Sequence, residues 1–191
     1  SHLTKEDVDA GKQPEFPVHH VFQVNHRGDH LRRGGKIVAV SRFIQEQMKL
    51  QWGFDSTVIN NAIDLDKFKP PSSKTPREKP LVIHGVTNSN KGFDHIHILE
   101  RSLNGIADVL LMDRAAERLG YSPEEKYKVI GEADLIVQPS AYEGNSYFVL
   151  EALASDVPIV AYNVGLLNSI STIAKENGIQ AVIGSIIDRK Y

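Results

Sequence analysis

The chain has 191 residues, 41% hydrophobic and 24% charged, an ordinary composition with enough length for one core and part of a second. Its 22 basic and 24 acidic residues leave a formal charge of -2, which argues against a nucleic-acid binder held by phosphate contacts. The absence of cysteine removes disulfide scaffolds and thiolate metal sites, and no run approaches the roughly 18 apolar residues of a membrane span.

In chain order, residues 1–16 are polar and carry Gly11 and Pro14, which reads as a loose lead-in, and its start at Ser1-His2 without methionine reads as an expression-tag scar or a cut end. Val18 to Val24 predicts a strand, Arg27 to Arg33 a short helix and Lys36 to Val40 a buried strand. Ser41 to Trp52 predicts a helix capped by Ser41 and stopped at Gly53. Residues 70–80 are rich in proline and serine and read as a linker, dividing the chain into units 1–69 and 81–191. Beyond it, apolar runs at 81–83, 109–112, 135–137, 158–161 and 181–183 alternate with helical patterns. Alternating strands and helices predict an α/β, Rossmann-like parallel sheet with helices on both faces.

The most informative stretch is 133–161. An apolar run ends in Pro139 and Ser140, a polar loop holds Glu143, an apolar-periodic helix holds Glu151, and a second run begins after Pro158. Ligands of an open parallel sheet sit outside the carboxyl ends of its strands, so both carboxylates are expected to face one crevice. Spacing alone decides nothing, because Glu117 with Glu125 and Glu124 with Glu132 repeat it. The frame is what distinguishes the first pair: Ala133-Asp134 before the strand, Pro139-Ser140 at its end, Glu143-Gly144 in the loop, Glu151-Ala152-Leu153-Ala154 in the helix.

With that frame the segment resembles the donor-sugar motif of the retaining GT-B glycosyltransferases of group 1, also called family four. Ile37 to Ser41 resembles the family's strand and serine, Val58 to Pro70 its hinge segment with Asn61 and Asp64, and Val82 to Gly92 its strand and Lys-Gly loop. The blocks are in the family's order and cover roughly residues 37–165. The resemblance implies a GT-B fold whose N-terminal, acceptor-side half is largely missing. It implies transfer of a sugar from a nucleoside-diphosphate donor with retention of configuration, by a front-face route in which the leaving phosphate assists.

By the same resemblance, Glu143 holds hydroxyls of the transferred sugar and Glu151 the ribose diol, since an ionised carboxylate accepts from two hydroxyls at once. Lys91, followed by Gly92, neutralises charge developing on the diphosphate, so Lys91 and Glu143 are the catalytic candidates. Gly144, Asn145, Ser146 and Tyr147 open the helix, where free N–H groups and the helix dipole suit a diphosphate. His84 ends a strand beside the crevice, as a packed group or a donor contact. Two departures stand out: Ser146-Tyr147 replaces the family's common Gly-Leu, and Val86 occupies a position where many members carry arginine.

No metal and no cofactor is expected; His95 and His97 sit two apart in a helix and point to different faces. The expected partner is a nucleotide sugar, with the acceptor left open among glycan, lipid and small molecule, and with a separate N-terminal domain or a homodimer completing the cleft. The basic group around Arg27, Arg32, Arg33 and Lys36 suits an anionic acceptor or lipid surface, or simply a solvated helix face. With no apolar signal region or membrane span in the sequence, the expected location is cytoplasmic, peripheral to the membrane or not. A noncatalytic nucleotide-sugar-binding module and a GT-B nucleotide-sugar epimerase are the competing readings.

Overall fold

The computed structural model describes residues 37–85 and 91–170, together with the strand residues 18–19 and 186–187. A small parallel sheet holds β1 (Val18–His19), β2 (Val38–Ala39) and β3 (Thr57–Val58) in that order. Between β2 and β3 runs α1 (Arg42–Trp52), and its ends are written locally. The Ser41 hydroxyl accepts from Ile44 N–H at 3.2 Å, while Gly53 adopts a left-handed φ of 72° and its N–H bonds the Lys49 carbonyl. Ile44 and Met48, one turn apart, bury that helix against Ala39 and Val40.

The second sheet has the order β5-β4-β6-β7-β8, with every neighbouring pair parallel. Its strands are β4 (Leu81–His84), β5 (Asp108–Leu111), β6 (Leu135–Gln138), β7 (Ile159–Tyr162) and β8 (Ile186–Ile187). All four residues of β4 are buried, as a central strand covered on both faces requires. The connecting helices are α2 (Ile96–Ser102), α3 (Met112–Leu119), α4 (Lys126–Glu132) and α5 (Tyr147–Ala154). The chain steps from β4 out to β5 and then back across to β6, so with right-handed crossovers α2 lies on one face and α3 to α5 on the other. Leu81, Ile83, Ile130, Ile136, Val149 and Ile159 form the centre of the core between sheet and helices.

That reversal places the carboxyl ends of β4 and β6 side by side, with His84 in register with Val137. A topological switch of this kind leaves a crevice beyond the strand ends. The α/β parallel architecture is therefore the one the sequence implies. The strands predicted at 81–83, 109–112, 135–137 and 158–161 all occur within a residue or two, and Val18–His19 realises part of the run from Val18 to Val24. Arg27 to Arg33 and the run at 181–183 lie outside the described residues. The pairing of Thr57–Val58 as a third strand was not anticipated, because a two-residue strand carries no periodicity.

The proline-rich connection is fastened to the second sheet's helices. Thr75 donates through N–H and hydroxyl to the carboxylate of Glu132, which also pairs with Arg77 at 2.6 Å. Lys74 pairs with Asp134 at 3.2 Å, and Phe68 meets Tyr127 edge to face at 6.4 Å. The two sheets are also joined directly. Asn145 Nδ2 donates to the Val40 carbonyl at 2.6 Å, Asn61 Nδ2 to the Asn145 carbonyl at 2.9 Å, and Phe43 N–H at the start of α1 to Ser169 Oγ at 3.2 Å.

Candidate functional site

The crevice beyond β4 and β6 is built from loops that only small residues allow to approach. Gly92 has φ 76°, and a Cβ there would lie 2.5 Å from the Pro139 carbonyl oxygen, so the loop after β4 can touch the end of β6 only through a glycine. Gly85 is crossed in the same way by the ring of Phe148, 2.5 Å from a would-be Cβ. This close approach sets Lys91 opposite the loop that follows β6. The Lys91 ammonium lies 2.5 Å from Glu143 Oε1.

Glu143 is 8% exposed, and a carboxylate so enclosed needs partners. It has two on the same oxygen: Lys91, and Gln138 Nε2 at 2.7 Å. Gln138 Nε2 also reaches Ser146 Oγ at 3.0 Å and Ser140 Oγ at 3.2 Å, closing a compact polar network at the head of α5. Ser146 caps that helix by accepting from Val149 N–H at 3.4 Å. Lys91, Glu143 and Ser146 are thus brought together, with Gly92 and Gly144 beside them. Asn145 is buried, with its side-chain amide directed to Val40 rather than into the crevice. Tyr147 is 51% exposed at the first turn of α5.

Glu151 lies one turn further along α5, away from this network, and no described contact joins it to Glu143. It is buried and forms an ion pair with Lys126, the first residue of α4. Burial holds its carboxyl above the usual carboxylate range, with the Lys126 ammonium opposing that shift. Lys126 also lies 5.7 Å from the centre of the Phe148 ring, which connects this second polar centre to Gly85 and the end of β4. His84 is fully buried at that strand end. Neither ring nitrogen makes a hydrogen bond of normal geometry, although the backbones of Gly92 and Gly85 face it; burial holds its pKa below the ordinary 6.5.

Sequence reasoning missed Gln138 and Lys126. The signal for Gln138 was present, an amide closing the otherwise apolar strand Leu135-Ile136-Val137. Lys126 offered none, because its partner arrives only through the packing of α4 on α5. Among the described residues no group of three or more His, Cys, Asp or Glu converges as metal ligands, and no helix is long and apolar enough to cross a membrane. Beside Pro139, a more apolar groove of about 210 Å³ runs between α2 and the sheet, lined by His95, Ile98, Leu99, Val160 and Tyr162.

The family described as "Glycosyl transferases group 1" matches residues 71–186, more than half of the chain. The chain belongs to the group 1 glycosyl transferases. The match takes in the tethered connection, the Lys91 loop, Glu143 and Glu151. Among curated proteins, the chain is 26% identical over 155 residues to a protein assigned as the teichuronic acid biosynthesis glycosyltransferase TuaC of Bacillus subtilis (strain 168). That alignment covers 70% of this chain and 40% of the relative, so the chain spans well under half of that protein's length.

The fold of this group 1 chain is shared with solved structures. Sucrose-phosphate synthase from Thermosynechococcus elongatus superposes with a TM-score of 0.63 at 15% identity, covering 91% of this chain and 62% of that one. Anabaena HepE in complex with UDP gives 0.63 at 17%, covering 87% and 57%. The pneumococcal O-GlcNAc transferase GtfA in complex with UDP and GlcNAc gives 0.58 at 12%, covering 92% and 41%. At such identities the likeness carries the fold, and it is the Rossmann-like GT-B fold that the sequence resemblance implied.

Proposed function

We propose that this chain carries the donor side of a glycosyltransferase that moves a sugar from a nucleoside-diphosphate donor to an acceptor hydroxyl with retention of configuration. The observation that carries the reading is the meeting of Lys91, Glu143 and the Ser146-capped start of α5 at the β4/β6 switch point. A nucleotide sugar presents hydroxyls, a diphosphate and a ribose in sequence, and this arrangement offers a carboxylate, a cation with helix N–H groups, and then Glu151. In this reading Glu143 accepts from the transferred sugar, Lys91 and the Gly144–Tyr147 backbone hold the diphosphate, and Glu151 takes the ribose diol. Residues 81–191 form the donor unit, with residues 1–69 on the facing side.

In the step itself the bond between the anomeric carbon and the diphosphate oxygen breaks and the acceptor oxygen bonds the same carbon. The acceptor proton passes to the departing phosphate. Charge accumulates on that phosphate, and Lys91 together with the dipole of α5 stabilises it where it forms. Support for a uridine donor comes from the UDP held by HepE and by GtfA.

A thermal-shift screen of the full chain against UDP, GDP and ADP, with and without EDTA, tests the reading, because a ligand that binds the folded state alone raises the melting temperature. The expected result is a shift from one nucleoside diphosphate that survives chelation. No shift from any of them, or a shift restored only by added manganese, overturns the assignment. Release of nucleoside diphosphate from the matching nucleotide sugar then distinguishes an enzyme from a binding module.

A further inference from the structure

Gln138 is the most heavily engaged side chain near the proposed sugar site, and it lies outside the frame from which the site was read. It is the last residue of β6, after three apolar residues, and only 5% exposed. Its Nε2 donates to Glu143 Oε1 at 2.7 Å and to Ser146 Oγ at 3.0 Å, with Ser140 Oγ at 3.2 Å, while its Oε1 accepts from Ser146 Oγ at 3.2 Å. The amide can stand only this way round. Reversed, it would set its own oxygen 2.7 Å from a carboxylate oxygen, two acceptors without a proton between them.

The two bonds to Glu143, from Lys91 and from Gln138, both fall on Oε1, and no described contact falls on Oε2. Two donors on one oxygen fix the rotation of the carboxylate and direct the other oxygen away from the strand end. We propose that Gln138 is a positioning residue: it aims Glu143 so that Oε2 is presented to a sugar hydroxyl, and it ties that carboxylate to Ser146 at the head of α5. Sugar and diphosphate contacts are thereby held in one fixed relation. This rests on the reading of Glu143 as the sugar-binding carboxylate. An apolar residue would fill the same space at the end of β6 but could not orient a carboxylate, so burial of a polar amide here serves orientation rather than packing.

Gln138→Met keeps length and volume and removes both donors. Calorimetry on the full chain would compare UDP with UDP-glucose and UDP-N-acetylglucosamine, and a crystal structure of the variant would report the Glu143 rotamer. The expected result is an affinity for UDP within about twofold of the parent, with the parent's preference for the nucleotide sugar over UDP reduced about tenfold, the scale of one lost charged hydrogen bond. In the crystal, Glu143 turns. If the Met variant keeps the parent's sugar preference, or Glu143 stays in place, the proposal is wrong. If the parent binds none of these ligands the donor reading fails separately, and the Glu143 rotamer in the variant still decides the positioning claim. Should Met destabilise the fold, Gln138→Asn, which keeps an amide but draws it back by about 1.5 Å, one carbon–carbon bond, makes the same test.

Discussion

The ammonium of Lys91 and the carboxylate of Glu143 meet at 2.5 Å across 52 positions of sequence, and the contact joins the loops that follow two neighbouring strands. In the proposed donor site each partner has its own task, the cation for phosphate and the anion for hydroxyls. In this structure they neutralise one another, which makes the loop pair a single electrostatic unit.

Replacing Lys91 with Met should therefore act twice, removing the proposed phosphate cation and leaving Gln138 as the donor that still holds Glu143. Nucleoside diphosphate affinity is expected to fall by about 1.5 to 3 kcal/mol, the range for hydrogen bonds to charged groups. Titration calorimetry with UDP checks it. An unchanged affinity would mean that Lys91 serves the loop and not the ligand.

Glu151→Gln keeps the shape of the side chain and removes its charge, with an expected loss of about 1.5 to 3 kcal/mol in nucleotide binding. Glu125, eight residues after Glu117, is the control: its carboxylate is engaged by Lys128 and by Ser122 N–H at 3.0 Å, at the start of a different helix. Glu125→Gln should leave nucleotide affinity alone. Equal effects would show that the wrong pair of glutamates was chosen.

Gly53 and Gly92 share a left-handed backbone, φ 72° and 76°, but differ in what surrounds them. Gly53→Ala meets no atom within 4 Å and should lose only the conformational preference, about 1 kcal/mol. Gly92→Ala drives a methyl to 2.5 Å from the Pro139 backbone and should lose clearly more, about 3 kcal/mol, with displacement of Lys91. Urea unfolding of the two variants compares them directly, and equal losses would contradict the close approach of the two loops.

Burial holds the pKa of His84 below its ordinary 6.5, with His95 lowering it further and the Gly92 and Gly85 backbones opposing. As pH falls through about 6.5 the unfolded chain takes up this proton while the folded chain resists it, so stability should decline on acidification and recover as pH rises. Melting temperatures between about pH 7.5 and 5.5 should show that decline, and His84→Leu should make it shallower. The same slope in parent and variant would place the effect on other histidines.

The sequence by itself determined most of the elements and the family to which the chain belongs. Ser41 and Gly53 mark the ends of α1, the apolar runs mark β4 to β7, and the glutamates with their Pro139-Ser140 frame point to a group 1 chain, because caps, periodicity and motif frames are written within a few neighbouring residues. Tertiary structure decided which of those groups meet. Strand order brought Lys91 to Glu143, helix packing brought Lys126 to Glu151, and the apposition of two sheets turned the Asn145 amide to Val40, 105 positions away. It also gave Gln138 its partners, since a hydrogen-bond network at a strand end depends on which loops converge there. Local sequence sets what each segment becomes, whereas a contact between distant segments exists only once register, crossover and close packing have been chosen together.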